Sequence, residues 1–362
     1  MPAEWEPMAA VWLCWPHNRS DWPGKFAAIP FVYAEIVRHL ARVGRVEIIV
    51  QHEAAEASAR AVLAFAGVIG AGKRPANLRF HRWPTNRGWT RDSGPIFIRH
   101  RSGKIAIINW SFNGWAKYRN WQLDDQLPQR IASFLELPVF EPEFTSRRRA
   151  TAVDVRTAFA GNRGRRVVLE GGSIDSNGQG LLLATEECLL SRRQQRNPGM
   201  SRADLEDVLG RFLGVRKVLW LQRGIAGDDT HGHVDDIARF VGPRTIVAAC
   251  EADRSDANYE PLRENLKRLR RMTDTAGRRL RVIPLPMPSP IVIRGQRVPA
   301  SYENFFIFNG LVLVPTFNQP GDRLALNTLA EAMPKHTIVP IYCGDLIWGL
   351  GAIHCMTQQQ PG

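Results

Sequence analysis

Four tight turns at a nearly regular spacing constrain the fold of this chain more than any other feature of its sequence. Each turn lies between two apolar runs, which is the pattern of a β-hairpin, and two of the turns contain Asn-Gly, which favours two-residue hairpin loops. The predicted hairpins are Pro95 to Trp110, Gly172 to Thr185, Ile237 to Ala249 and Asn304 to Phe317. Their turns begin at positions 102, 177, 242 and 309, so they are 75, 65 and 67 residues apart. A period of about 70 residues leaves room for about five units in a chain of 362 residues.

Apolar residues at helical spacing occur between the hairpins. Leu262, Leu266 and Leu269 would share one face of a helix, and Ile36 belongs to a similar pattern that precedes a strand-like run at 46–50. Each unit is therefore predicted to contain a hairpin, a helix and a strand. Such units, arranged around an axis, form an α/β propeller whose centre is lined by strand ends.

Polar segments lie immediately before or within the predicted hairpins. They are Trp89 to Pro95, Glu170 to Ser173, Gly227 to Asp236 and, where a fifth unit would fall, Trp348 to Cys355. The third segment alone holds four carboxylates and two imidazoles. Ionisable groups at this density are typical of sites that perform chemistry or bind a cation. If the units surround an axis, the segments converge on one pocket.

Composition narrows the class of protein. The first residues are acidic and aromatic, unlike a secretory signal, and no apolar run is long enough for a membrane span, so we expect a cytoplasmic protein without membrane contact. The five cysteines lack paired spacing, which argues against a disulfide framework or a zinc knuckle.

The chain carries a formal net charge of +13, which raises nucleic-acid binding as an alternative function. The basic residues concentrate at Arg147 to Arg166, Ser191 to Arg196 and Arg263 to Arg281. These stretches lack interleaved aromatic residues on which bases could stack. We interpret them as solvated surface, so nucleic acid is not the expected partner.

A cysteine, a histidine and several carboxylates limit the chemistry of the pocket. A thiolate is the nucleophile in such a site, and an imidazole moves protons. Neighbouring carboxylates would raise the thiol pKa and hinder attack on an ester or amide. They suit a guanidinium, whose N–H edges match carboxylates and whose charge stabilises the thiolate. The alternative is a metal hydrolase, with ligands drawn from His231, His233, Asp228, Asp229 and Asp235.

The same segments resemble the agmatine deiminase and bacterial-type peptidylarginine deiminase family. The resemblance is carried by WTRDSGP from Trp89, EGGSI from Glu170, GDDTHGHVDDIARF from Gly227 and IHCMTQQQP from Ile353. It extends from the N-terminal MPAEWEP almost to Pro361. It implies the pentein fold, with five pseudo-symmetric ββαβ units in a single catalytic domain over residues 1–362. It also implies hydrolysis of a guanidine to a ureido group with loss of ammonia, without a cofactor or a metal.

Catalytic roles follow from this resemblance. Cys355 would attack the guanidinium carbon and form a covalent amidino-thioether after ammonia leaves. His233 would protonate the departing ammonia and then activate the hydrolytic water. Glu170 would accept a further hydrogen bond and help to fix His233 or the substrate.

The resemblance also implies substrate-binding residues. Asp92 and Asp235 would hold the guanidinium N–H groups and orient its carbon over the sulfur. Trp89 would form an aromatic wall along the aliphatic chain of the substrate. Asp229 is a candidate partner for a substrate amine, and it could instead cap a turn, as Asp228 could.

Three neighbouring residues are expected to lie outside the chemistry. Asp236 and His354 should face away from the pocket because adjacent residues of a strand point to opposite faces. His231 is expected in a supporting or surface position.

The substrate remains open between agmatine, which would give N-carbamoylputrescine, and free or peptidyl arginine. Free arginine has a carboxylate that needs a cation near the pocket mouth, and Arg91 is a candidate, although the agmatine-type motif also has arginine there. Leu350 and Ala352 replace glycines that are usual in the family, and Thr145 to Arg166 is longer than its usual connection. We expect a small cationic guanidino ligand and leave homo-oligomerisation open.

Overall fold

A computed structural model describes residues 1–70, 77–144 and 164–362. Residues 145–163, which contain most of the long connection and of the first basic stretch, lie outside the described residues. The strands are β1 (Met8–Cys14), β2 (Arg45–Val50), β3 (Leu78–Arg82), β4 (Ile96–Arg99), β5 (Ile105–Ile108), β6 (Val139–Phe140), β7 (Glu143–Phe144), β8 (Arg165–Arg166), β9 (Ile174–Ser176), β10 (Leu181–Thr185), β11 (Lys217–Leu221), β12 (Ala238–Gly242), β13 (Thr245–Cys250), β14 (Arg281–Pro286), β15 (Val292–Ile293), β16 (Gln296–Arg297), β17 (Phe306–Phe308), β18 (Leu311–Thr316), β19 (Thr337–Tyr342) and β20 (Gln358–Pro361).

The helices are α1 (Ile29–Val43), α2 (Glu53–Phe65), α3 (Thr90–Ser93), α4 (Leu127–Leu135), α5 (Glu186–Leu190), α6 (Arg202–Leu213), α7 (Tyr259–Arg271), α8 (Pro320–Ala332) and α9 (Ile353–Met356). Short 3-10 helices occupy Phe26–Ala28, Asp124–Gln126, Gly171–Ser173, Val234–Asp236 and Leu346–Gly349. Within the described ranges, no helix combines the length and the apolar character that crossing a bilayer requires.

Four sheets share the connectivity that the hairpins predicted. In each, the two hairpin strands pair antiparallel: β4 with β5, β9 with β10, β12 with β13 and β17 with β18. The second strand then pairs in parallel with β6, β11, β14 or β19, respectively. Parallel neighbours need a crossover connection, which the intervening helices provide. All four predicted hairpins are therefore confirmed, and the chain has a mixed α/β fold.

A fifth sheet joins distant parts of the chain. β20 pairs antiparallel with β1, with Met8 opposite Pro361 and Trp12 opposite Gln358. β1 then pairs in parallel with β2 across α1, and β3 adds a fourth strand. No turn connects the antiparallel strands of this unit, so the turn pattern of the sequence does not predict it.

The predicted helical faces are buried. Ile36 lies on the covered face of α1, and Leu262, Leu266 and Leu269 lie on that of α7. Burying one large aliphatic side chain contributes about 1.5–3 kcal/mol to stability. These faces hold each helix against its sheet and so fix the loops at the sheet ends.

The polar segments form short helices directly before the first strand of a sheet. α3 precedes β4, Gly171–Ser173 precedes β9, Val234–Asp236 precedes β12 and α9 precedes β20. α3 contacts both α9 and Gly171–Ser173, and the latter contacts Val234–Asp236. The fold therefore brings the four segments together.

Candidate active site

A cavity lies where these short helices meet. Its wall includes Trp89, Trp115, Tyr118 and Leu350, while Cys355 contributes from α9. Trp89 is buried and lies against the cavity, as expected for a wall along an aliphatic chain. The cavity is therefore narrow, with aromatic sides and a potential nucleophile within reach.

Cys355 is surrounded by acidic groups. Its Sγ lies 3.7 Å from Asp235 Oδ2, and Asn304 Nδ2 donates a hydrogen bond to it at 3.1 Å. Burial, followed by Asp235, Asp236 and Asp92, raises the pKa of the thiol well above its usual value, although the bond from Asn304 opposes this. The neutral thiol is therefore favoured while the pocket lacks a cation.

His233 is fully buried and faces both sides of the site. Its Nδ1 lies 3.8 Å from Asp92 Oδ1 and 4.0 Å from Asp235 Oδ1, while its Nε2 lies 3.6 Å from Glu170 Oε2. Burial lowers the pKa of His233, but Asp92, Cys188 and Glu170 outweigh burial and raise it well above its ordinary value. Nδ1 therefore faces the two carboxylates, and a protonated ring is favoured.

Asp92 is held by two donors at the base of the cavity. Gly172 N–H donates to Oδ1 at 3.0 Å, and Trp115 Nε1 donates to Oδ2 at 2.8 Å. Burial, with help from Asp235, raises the pKa of Asp92 to about 6, although His233 opposes the shift. Asp92 is thus close to neutralisation at physiological pH and would gain from a bound cation.

Asp235 is oriented by a neighbouring ring. His354 Nδ1 lies 2.7 Å from its Oδ2, whereas its buried Oδ1 has no hydrogen-bond partner within the described part of the chain. Burial favours the neutral carboxyl, but His354 and His233 outweigh it and lower the pKa of Asp235. Asp235 therefore offers an ionised oxygen to a ligand.

Glu170 is clamped by an arginine that the sequence analysis missed. Arg196 Nε donates to its two oxygens at 3.0 and 3.3 Å, and Arg196 Nη2 donates to the Thr230 carbonyl at 2.5 Å. Burial opposes ionisation, yet Arg196 and His233 lower the pKa of Glu170 to about 2. Arg196 is 1% exposed, so its assignment to a solvated basic surface is wrong. Nothing in the local sequence separates it from its exposed neighbours.

The mouth of the cavity carries charges of both signs. Asp229 Oδ2 accepts hydrogen bonds from Tyr118 Oη at 2.5 Å and from Lys117 Nζ at 3.2 Å. The Arg87 guanidinium carbon lies 3.7 Å from the centre of the Tyr118 ring. Arg87 Nη1 also donates to Asp21 at 2.6 Å. Asp229 therefore lines the pocket, as predicted, but it already has a cationic neighbour.

Asp236 and His354 lie outside the cavity lining, but the strand geometry from which this was expected is wrong. Asp236 belongs to a 3-10 helix and His354 to α9, so the alternation of a β-strand does not apply to either. Asp236 Oδ1 accepts from Asn304 Nδ2 at 3.0 Å, and the same nitrogen reaches Cys355. His354 is hydrogen-bonded to Asp235. Asp236 therefore helps to position Asn304 beside Cys355, and His354 helps to position Asp235.

His233, Asp235 and Glu170 are buried behind the cavity lining, and other predicted residues also lie outside it. Asp228 accepts from the backbone of Thr230 and Gly232 at 2.8 and 2.7 Å, which is the turn-capping role that was anticipated. His231 Nε2 lies 3.2 Å from Ser191 Oγ, in a supporting position as expected. Arg91 is buried and donates to Gln359 at 2.6 Å, so it does not supply a cation at the mouth.

The departures from the family glycines have different positions. Leu350 adopts a left-handed backbone, with φ 66°, and lines the cavity, whereas Ala352 is buried. Gly351 between them is required: a Cβ there would lie 2.8 Å from the Trp89 ring and 3.0 Å from Cys355 Cβ.

The metal ligands proposed from sequence are not gathered as a set. In the described ranges, the atoms close enough to share an ion belong to Glu170, Cys188 and His233, within 4.8 Å of one another. Arg196 lies 3.0 Å from Glu170, so a metal cation there would face a buried guanidinium. The geometry favours an organic cation between Asp92 and Asp235 over this arrangement.

Comparison with known proteins agrees with this geometry. The model of the Porphyromonas-type peptidyl-arginine deiminase family matches residues 1–361. The chain belongs to this family. Agmatine deiminase of Pseudomonas syringae is 33% identical over 384 residues, which cover 100% of this chain and 95% of that protein.

Two solved structures of family members are also similar. Agmatine deiminase of Enterococcus faecalis has a TM-score of 0.86 and 30% identity, with 100% of this chain and 95% of that chain covered. A substrate-bound agmatine deiminase of C. jejuni has a TM-score of 0.82 and 27% identity, with 100% and 96% covered. The similarity thus spans the whole length of the family fold.

Proposed function

We propose that this protein is a hydrolase that converts agmatine to N-carbamoylputrescine and ammonia. The observation that carries the proposal is that Cys355 and Asp92 line a narrow aromatic cavity, while Asp235 lies 3.7 Å from Cys355 and His233 lies 3.8 Å from Asp92. Relatives named agmatine deiminase over nearly their full length support it. Such a reaction would supply a precursor of polyamines.

The guanidinium would bind between the two carboxylates. Asp235 Oδ1 is buried without a partner among the described residues, and Asp92 Oδ1 faces the same ring nitrogen of His233. Charge-assisted hydrogen bonds are strong at such desolvated positions. The bound cation would also offset the acidic groups that oppose ionisation of Cys355, so binding and nucleophile activation are linked.

Formation of the covalent intermediate uses both Cys355 and His233. The Cys355 thiolate attacks the guanidinium carbon and forms a C–S bond, giving a tetrahedral species. His233 donates a proton from its ring to the departing nitrogen, the C–N bond breaks, and ammonia leaves. Cys355 then carries the amidino group as a thioether.

Hydrolysis reverses the role of His233. The neutral ring accepts a proton from water, the oxygen attacks the amidino carbon, and the C–S bond breaks. The product contains a ureido group and Cys355 is regenerated. Glu170, held by Arg196, positions the His233 ring throughout from the Nε2 side.

A second candidate is deimination of free or peptidyl arginine. It is favoured by Arg87, which lines the cavity and is the kind of residue that could neutralise a substrate carboxylate. Its ion pair with Asp21 and the presence of Asp229 at the same mouth favour agmatine.

The proposal includes the wider architecture. Five sheets of matching connectivity support five pseudo-symmetric ββαβ units around the site, in one catalytic domain of propeller form. The five cysteines are free, which is compatible with a reducing cytoplasm. The ligand is a small guanidino compound, neither cofactor nor nucleic acid enters the reaction, and a homo-oligomer is compatible with it.

Ammonia release from agmatine, free arginine and a peptidyl arginine tests the proposal. We expect agmatine to be turned over with the highest kcat/KM. Preference for arginine would support the second candidate, and no turnover of any of the three would overturn the assignment.

The Cys355→Ala variant separates binding from chemistry. Because the carboxylates that hold the guanidinium remain, we expect binding of agmatine by calorimetry together with turnover reduced at least about 10⁴-fold. Cys250→Ala, which removes a half-buried thiol, is the matched control and should retain activity. Turnover by Cys355→Ala would contradict the proposed nucleophile.

A further inference from the structure

The N-terminal MPAEWEP motif places a carboxylate behind the candidate active site. Glu4 is buried, and its Oε1 accepts from Ile307 N–H at 2.8 Å. Its Oε2 lies 2.8 Å from His354 Nε2 and 2.9 Å from Arg239 Nη2. Glu4 takes no part in the proposed reaction steps, although only the His354 ring separates Glu4 from Asp235.

His354 bridges two carboxylates. Its Nδ1 lies 2.7 Å from Asp235 Oδ2 and its Nε2 lies 2.8 Å from Glu4 Oε2. An ionised carboxylate only accepts hydrogen bonds, so both bonds require a proton on each ring nitrogen. A ring with two N–H groups is an imidazolium. The geometry therefore favours a cation directly behind the carboxylate that faces Cys355.

We propose that Glu4 holds His354 as a cation, and that His354 is a positioning residue that orients Asp235 and offsets the negative charge around Cys355. With Oδ2 fixed by the ring, Asp235 Oδ1 is free to meet a guanidinium. The nearby positive charge also reduces the repulsion that the Cys355 thiolate experiences from the acidic groups. The effect on turnover rests on the proposed function, whereas the effect on the thiol does not.

The charges around His354 come from every packed element. Arg91 of α3 and Arg239 of β12 form ion pairs with Glu4. Asp175 of β9 pairs with Arg239 at 3.2 Å. Asp235 and Asp236 approach from their 3-10 helix. Burial opposes ionisation of Glu4, but Arg239, His354 and Arg91 hold its pKa far below the usual range. Glu4 therefore stays anionic at every pH at which the protein would work.

Alkylation of Cys355 in Glu4→Gln tests this without any substrate. The amide cannot stabilise the imidazolium as an anion does, so the positive charge behind Asp235 should be lost and Cys355 should ionise at higher pH. We expect iodoacetamide labelling at pH 8, followed by mass spectrometry of the Cys355 peptide, to be about tenfold slower, corresponding to about one pKa unit. Identical profiles for the two proteins would overturn the proposal.

The chain offers a matched control for a lost buried ion pair. Glu47 Oε2 lies 2.7 Å from His81 Nε2, and both residues are buried on β2 and β3. Glu47→Gln should lower thermal stability but leave the alkylation profile of Cys355 unchanged. A similar shift in Glu47→Gln would attribute the effect to general destabilisation and would also overturn the proposal.

Kinetics distinguish positioning from disruption. For Glu4→Gln with agmatine, we expect kcat to fall about tenfold above neutral pH without a rise in KM, because Asp235 keeps its charge. A higher KM with unchanged kcat would contradict this role. If no guanidine is turned over while the alkylation shift is present, the proposed function fails and the inference stands. If agmatine is turned over without the alkylation shift, the proposed function stands and the inference fails.

A measurement on the unaltered protein does not depend on folding of a variant. In ¹⁵N-histidine NMR, His354 should show protons on both ring nitrogens. A neutral His354 ring would overturn the proposal. His354→Gln, which removes the ring cation, would identify the resonance and should slow alkylation in the same direction as Glu4→Gln.

Discussion

At the scale of the residue, ionisation of Cys355 is controlled by its acidic neighbours. Burial and then Asp235, Asp236 and Asp92 raise the pKa of the thiol, so the reactive thiolate should increase with pH. We expect alkylation of the substrate-free protein to rise steeply in alkaline solution, with no plateau of reactivity persisting below about pH 6. Such a plateau in a stopped-flow pH series would contradict the electrostatic description of the site.

Asp92 should set an acid limit on substrate binding. Its pKa is raised to about 6, chiefly by burial, and only the ionised form can pair with a guanidinium. Acidification through about pH 6 therefore protonates the group and should raise KM for agmatine, about tenfold for each further pH unit.

The Asp92→Asn variant tests the origin of this limit. It should bind agmatine weakly at every pH, and its KM should no longer rise when the solution is acidified. If KM of this variant still rose on acidification in the same way, the rise would belong to another titrating group.

Single residues also show where sequence reasoning stops. Cys355, His233 and the two carboxylates proposed to bind a guanidinium could be identified from motifs, and the fold brings them within a few ångströms of one another. Arg196 could not be identified, because its neighbours in a basic stretch are partly or fully exposed while it is buried. The contribution of a long-range ion pair cannot be inferred from local composition.

At the scale of the element, one-turn helices replace the strand ends that were expected to carry the site. The strand assignment failed for Asp236 and His354 because three or four residues are too few to show a helical period. The hairpins after these segments were predictable because two alternating runs and a turn give a much longer signal. The prediction of element type was therefore most reliable where the sequence pattern was long, and least reliable for the short segments at the site.

Close packing between α9 and the segment before α3 predicts a sensitive glycine. In Gly351→Ala the new methyl group would lie 2.8 Å from the Trp89 ring and 3.0 Å from Cys355 Cβ, so one of them must shift. We expect destabilisation of about 1–3 kcal/mol by thermal unfolding and a larger proportional loss of kcat, because the sulfur is displaced.

Gly70→Ala provides the control for this substitution. Among the described residues, nothing lies within 4 Å of a Cβ at Gly70, so activity and stability should be unchanged. Full activity of Gly351→Ala would show that α9 tolerates movement of Cys355.

At the scale of the whole molecule, net charge opposes the proposed substrate. The chain carries +13, and agmatine is a dication, so long-range repulsion should slow their encounter at low salt. We expect kcat/KM for agmatine to rise a few-fold between about 10 and 150 mM salt, as screening shortens the reach of the repulsion. Free arginine, with one net charge, should show a smaller rise. A falling kcat/KM would mean that the carboxylates of the pocket dominate at long range.

Four of the sheets were predictable from the period and the turns, whereas the sheet that pairs β1 with β20 was not. Four hairpins are local and leave a turn in the sequence, whereas β1 and β20 pair across almost the whole chain. No pattern in a single sequence reports which distant strands will pair. The predicted pocket depends on that pairing, since α9 leads directly into β20.

The pairing of β1 with β20 has a consequence for biosynthesis. Glu4 and Cys355 are 351 positions apart, yet one imidazole connects their surroundings. A ribosome-bound intermediate that already contains the four local hairpins would still lack its sulfur nucleophile. Catalytic competence should therefore appear only after the chain has been synthesised beyond Cys355 and β20 has paired with β1.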